Sequence, residues 1–132
     1  MTLDVSVLHE VAHLLSQEVD LDFLMDVLVR AIARAVEADR ATLYLVDAQK
    51  RELFSKVATG ISERNEIRLK FGQGVAGHVA ESGESARVPQ AKADERFHGA
   101  VDKRTGYQTQ SMLAVPVRNR QGAIIGVIQT LN

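Results

Sequence analysis

The spacing of the apolar residues changes once, near residue 40, and that change limits the folds open to this chain. Up to Val36 the apolar residues recur every three or four positions. Leu8, Val11 and Leu15 form one stripe, widened by Val7 and Leu14; Leu21, Leu24, Leu28, Ile32 and Ala35 form a second, with Met25, Val29 and Val36 beside it. This is the period of amphipathic helices. It predicts one helix over 3–17 and another that starts at an Asp20 N-cap and ends near Ala38. From Ala41 onward the dominant period is two. Residues 41–47, 53–59 and 67–71 read as strands, with a polar turn over 48–51 and a stop at Gly60. Residues 110–117 and 122–131 read as a closing hairpin that turns at 119–122. Between these lie a short helix over 75–82, ended by Gly83, and an extended piece over 86–89 that leaves the sheet at Pro89. Two helices followed by strands with short helices make an α+β layout on a mostly antiparallel sheet.

Composition narrows the function classes. The 132 residues suffice for one domain and one core. With 45% hydrophobic and 25% charged residues, the balance is that of a globular domain. No apolar run approaches the ~20 residues of a membrane span, and no signal peptide follows Met1, so no membrane partner and a cytoplasmic location are expected. The chain has no cysteine. That excludes disulfides, thiolate catalysis, Cys-ligated zinc and any thioether-linked cofactor. The net charge is −1, with seven Lys/Arg against twelve Asp/Glu in residues 1–66 and nine against five in 67–132. This is too weak a basic excess for nucleic-acid binding, though a mild positive field over the second half suits a small anion.

Enzyme chemistry finds no residues to carry it. There is no Gly-x-Ser-x-Gly elbow. Gly72, Gly74 and Gly77 make a G-x-G-x-x-G run, but a dinucleotide site needs a long helix after it, whereas Gly83 stops this one early. The run reads as a tight strand-to-helix turn. His9 and His13 stand four apart, a zinc-compatible spacing without a nearby third ligand, and read as a solvated helix face. The segment 91–109 is more informative, because it is polar and long for a connection in so small a domain. It holds His98, Asp102, Thr105 and Thr109 behind Phe97. Two roles are open to these side chains: contacts to a small polar ligand, or satisfaction of the loop's own backbone with Gly106 as a helix C-cap.

Taken together, several stretches are recognisable. They are the 41–47 strand, Phe71-Gly72-Gln73-Gly74-Val75-Ala76-Gly77-His78-Val79-Ala80, the Phe97…Asp102…Thr105-Gly106-Tyr107…Thr109 run, Leu113-Ala114-Val115-Pro116-Val117, and Gly126-Val127-Ile128-Gln129. With these, nearly the whole chain resembles a GAF domain, the small-molecule sensing module of phosphodiesterases, cyclases, phytochromes and bacterial signalling proteins. The resemblance implies a central antiparallel sheet of about six strands. Long N-terminal helices would lie on one face, and short helices and a lid would close a pocket on the other. The lid is most similar to those of cyclic-nucleotide-binding GAF domains of phosphodiesterases and adenylyl cyclases.

Carried over position by position, the resemblance puts Thr42, Ala58 and Thr59 at base and ribose. It puts the Val75 and Ala76 backbone at the phosphate and His98 stacked on the purine. Asp102, Thr105 and Thr109 become lid contacts, and Gln129 stands where an acidic residue can meet the purine. It implies no covalent cofactor; haem through His98 lacks other haem signs in the lid. The implied function is a regulatory, non-enzymatic domain that binds a cyclic nucleotide or similar ligand and signals to an output domain beyond Asn132. The alternative is a dimerisation module with an empty or vestigial pocket. The expected organisation is a single domain cut from a longer signalling protein, with residues 1–18 as a homodimerising helix and 20–132 as the body.

Overall fold

The computed structural model describes residues 5–16, 20–59 and 66–132. The expected strand stop at Gly60, the outer ends of the first helix, and the side chains of Leu14 and Leu15 lie outside the described residues. Helix α1 spans Val5–Ser16 and α2 spans Leu21–Ala35. The Asp20 carboxylate caps α2, accepting from the Asp22 and Phe23 N–H groups at 3.0 and 3.4 Å. Helix α2 ends three residues earlier than its apolar pattern suggests. Glu37 turns into the left-handed region at φ 54, and the Ala38 and Glu37 N–H groups donate back to Ala33 and Arg34. That closing motif satisfies the last carbonyls and redirects the chain into the sheet.

Six strands follow: β1 Arg40–Asp47, β2 Glu52–Ala58, β3 Arg68–Lys70, β4 Ala86–Val88, β5 Met112–Arg118 and β6 Ile124–Leu131. They form one sheet in the order β3-β2-β1-β6-β5-β4, every neighbouring pair antiparallel. Helix α3, Gly74–Ser82, lies between β3 and β4 in the chain and packs against β2, β3, β5 and β6. Tyr44, Leu53, Ile67, Leu69, Met112, Ala114 and Val127 turn one face of the sheet toward Val75, Ala76, Val79 and Ala80 of α3, and this is the core. Gly77 permits the close approach. A Cβ there would sit 2.5 Å from the Lys70 carbonyl oxygen, inside any tolerable contact.

Helix α2 lies against β1 and β2, where Leu43 and Leu45 alternate away from the core face. Only Val29 of α2 is fully buried. Leu113 and Val115 of β5 face the same way and are exposed, as are Leu21, Phe23, Leu24, Val27 and Leu28 of α2.

Candidate functional site

The site lies on the α3 side of the sheet, where strand alternation, a glycine turn and a long connection converge. The connection leaves β4 through the single turn Ala91–Ala93, runs over Phe97 and His98, forms α4 over Ala100–Thr105, and returns to β5. Gly106 ends α4 at φ 76. Phe97 and Val101 pack on the core and anchor this lid. Its polar residues are held mostly by one another. Both Asp102 oxygens accept from Thr109, from the N–H at 2.7 Å and from the hydroxyl at 2.8 Å. The Thr105 hydroxyl donates to the Val101 carbonyl at 3.0 Å and accepts from the Tyr107 N–H. Arg96 forks onto Asp94, and those bonds hold the Asp94 carboxyl down at about 2.

Beneath the lid is a pocket with a floor of β1 and β6 side chains. Thr42 and Gln129 stand opposite each other in register, 4% and 7% exposed. Tyr44 lies two residues along β1 and hydrogen-bonds Gln129; burial pushes its phenol far above the ordinary value, and that bond only partly opposes the shift. The Thr59 hydroxyl accepts from the Ala41 N–H, which ties the end of β2 to β1. At one side Gly74 and Val75 open the first turn of α3, and His98 and Phe97 face them. At the other side the Arg40 guanidinium lies 4.1 Å over the Tyr107 ring, and the Tyr107 hydroxyl donates to Asp39 at 3.1 Å. Burial, and then the Asp39 carboxylate, raise the Tyr107 phenol above its usual value. The free volume of the pocket is about 50 Å³, room for a few waters and well below the roughly 300–1,000 Å³ of small-molecule sites. A nucleotide-sized ligand would need this space to widen.

Of the residues singled out in the sequence, Thr42, Thr59, Val75, His98, Asp102, Thr105, Thr109 and Gln129 all line this one pocket. Ala58 and Ala76 do not. Ala58 pairs with Thr42 across the strands, and Ala76 is wholly buried on the sheet side of α3. Of the two roles open to Asp102 and Thr105, the internal one is engaged here, although both side chains still border the cavity. Sequence reasoning passed over Arg40, Tyr44, Tyr107, Ile67, Leu69 and Met112 in the lining. Arg40 and Tyr44 were within reach, since they flank Thr42 at two-residue steps on one face of a strand. Among the described residues no cluster of three or more His, Asp or Glu is arranged to hold a metal, and no helix is long and apolar enough to cross a membrane.

An antiparallel six-stranded sheet with a short helix, a polar lid and a pocket on one face, and longer helices leading in, is the architecture of one domain family. The GAF domain family model matches residues 20–132, and the chain belongs to that family. It is 38% identical over 128 residues to the dual 3',5'-cyclic-AMP and -GMP phosphodiesterase 11A of Takifugu rubripes, a match that spans 89% of this chain and 14% of the relative. It is 35% identical over 130 residues to the dual phosphodiesterase 11 of Drosophila melanogaster, spanning 87% of this chain and 9% of the relative. The chain thus spans a small fraction of these relatives' length. Among solved structures, the GAF domain of a phosphoenolpyruvate-protein phosphotransferase from Coxiella burnetii superposes with a TM-score of 0.77 at 20% identity, covering 97% of this chain and 76% of that one. The fold is that of a GAF domain, and the chain is homologous to the GAF regions of cyclic-nucleotide phosphodiesterases.

Proposed function

We propose that this domain senses a cyclic nucleotide in the pocket between the sheet and the lid. The observation that carries the reading is the composition of the pocket wall. Hydroxyl and amide groups from Thr42, Thr59, Thr109 and Gln129 line the cavity beside Arg40, His98, Asp102 and a set of apolar side chains, and the first turn of α3 opens at its side. Gln73, the N-cap of α3, makes no side-chain bond to that turn, so helix N–H groups remain available to an anion. Planar heterocycle, ribose and phosphate each then find matching chemistry. The phosphodiesterase relatives support the same ligand class. The bound signal would pass to an output domain in a longer protein, with no covalent cofactor and no catalysis in this domain.

Calorimetry with cyclic AMP and cyclic GMP tests the reading, with thermal melts alongside. Ligand at about a hundred times its Kd adds about 2.7 kcal/mol to stability, so binding by either nucleotide registers in both measurements. Absence of heat and of any melting shift with both nucleotides at ~1 mM would overturn it.

We further propose that the domain acts as a homodimer through its leading helices. Val5, Val7, Leu8 and Val11 of α1 are all exposed, Leu8 by 68%, and α2 exposes a second apolar row. A two-fold pair of these helices would bury both. Wild-type chain should sediment as a dimer at ~0.1 mM, and Leu8→Glu with Val11→Glu should sediment as a monomer. A monomeric wild type at that concentration would defeat this second proposal and leave the ligand reading standing.

A further inference from the structure

We propose that Gln73 is a positioning residue that fixes both the seat and the tautomer of His98, so that the pocket meets an imidazole with its proton on Nδ1. The orientation of the Gln73 amide follows from one backbone group. The Lys70 N–H donates to Gln73 Oε1 at 3.0 Å, and a backbone N–H can only donate, so the oxygen must be on that side. The amide nitrogen is then the end that faces His98 Nε2, at 3.3 Å. An amide NH2 has no lone pair to offer, which makes His98 Nε2 the acceptor. A neutral imidazole that accepts at Nε2 carries its hydrogen at Nδ1. The tautomer of a lid residue is thus set by a strand-end N–H, relayed through one side chain.

The surroundings fit a designed seat. Gly74 holds φ +70, and a Cβ placed there would come within 3.5 Å of the His98 Cβ. The lid therefore lies directly on the turn that starts α3. Phe97, next in sequence, packs on the core and stops the lid from sliding. Gln73 occupies the N-cap position of α3 without capping it. Its oxygen steadies the turn and its nitrogen holds the lid. Since Nε2 is occupied, the ring's remaining edge group is the Nδ1–H donor. A ligand group that meets that edge must be an acceptor, such as a carbonyl oxygen or an unprotonated ring nitrogen.

Imidazole in water prefers the Nε2–H form, so the tautomer is a readable signature. Nitrogen-15 spectra of the histidine rings at pH 8, where an unperturbed imidazole is neutral, separate the two forms. His9 serves as an internal reference, with a His98→Gln chain for assignment. The full chain should show His98 as Nδ1–H, and Gln73→Leu should return it to Nε2–H. Gln73→Glu keeps an acceptor for the Lys70 N–H but turns a carboxylate oxygen toward His98, so it should also move the proton to Nε2. His98 found as Nε2–H in the wild type, or still Nδ1–H in Gln73→Leu, overturns the proposal.

The ligand arm rests on the cyclic-nucleotide reading. Gln73→Leu should weaken cyclic-nucleotide binding about 3- to 10-fold, the effect of one lost hydrogen bond. A tautomer change with unaltered affinity would overturn the positioning role. Failure of the wild type to bind any cyclic nucleotide would count against the ligand reading alone, because the tautomer is read without ligand.

Discussion

Helices α3 and α4 sit on the same side of one sheet and carry the same stop signal, yet they are held by opposite means. Each ends on a left-handed glycine, Gly83 at φ 74 and Gly106 at φ 76. Helix α3 buries Val75, Ala76, Gly77, Val79 and Ala80, whereas α4 buries no residue fully. The first is fixed by apolar area removed from water. The second is fixed mainly by a carboxylate, two threonine hydroxyls and a stacked tyrosine, with the half-buried Val101 as its apolar anchor. Local signals for starting and stopping a helix are therefore silent about what the helix is for. Burial makes α3 a wall, and polar self-satisfaction leaves α4 joined to the core by little more than the half-buried Val101.

The contrast can be broken from either side, most forcefully through α3. Val79 is fully buried, and Val79→Ala should cost about 2–3 kcal/mol from lost burial and the cavity left behind. Thermal denaturation would show it as the largest loss in this set. Next in size is Asp102→Ala, which strips the partner from the N–H and hydroxyl of Thr109, a residue only 1% exposed. Unsatisfied buried groups of this kind cost about 1–3 kcal/mol. An unchanged melting temperature would mean that the lid is not held by this carboxylate, and the contrast would fail. A smaller difference should appear in hydrogen exchange of the ligand-free chain. Amides of α4 should exchange well before those of α3, since opening the lid gives up only the half-buried apolar contacts of Phe97 and Val101. Equal protection across both helices would refute a separable lid.

The smallest expected effect concerns pH. The Arg96 bonds depress the Asp94 carboxyl to about 2, below the ~3.9 of an unfolded aspartate. A depressed carboxylate stabilises the fold above the unfolded value and ceases to do so as pH falls through the folded one. Stability should therefore decline between about pH 4 and pH 2, and that decline should be shallower in Asp94→Asn, by acid titration of the melting temperature.

Much of this was legible in the sequence. The switch of apolar period at residue 40 located both long helices and the sheet, and Asp20, Gly83 and Gly106 marked true helix ends. The last turn of α2 was misread because Val36 continues the apolar stripe, while Glu37 gives no warning that it adopts a left-handed conformation normally taken by glycine. In the site, the polar lid could be found by residue type, whereas Thr42 came only with the family resemblance. Arg40 and Tyr44 could have been found by stepping two residues either way along β1. Tyr44 reads as a core aromatic and Arg40 as a surface charge until the lid is placed over them. The bond from Asp102 to Thr109 joins residues seven apart across a helix end, a distance at which neither helix nor strand periodicity gives any guide.

One small knot of bonds has a wider consequence. The Asp39 N–H donates to the Leu131 carbonyl at 3.0 Å and to the Asn132 side-chain oxygen at 2.9 Å. The Asn132 carbonyl in turn receives the Gln110 and Ser111 N–H groups. The sheet, α3 and the lid thus form a loop of chain that departs from and returns to a single point. A body whose two ends already touch can be spliced into a surface turn of a host protein without stretching either partner. Tyr107, bonded to Asp39 from the lid, ties the lid to that same point.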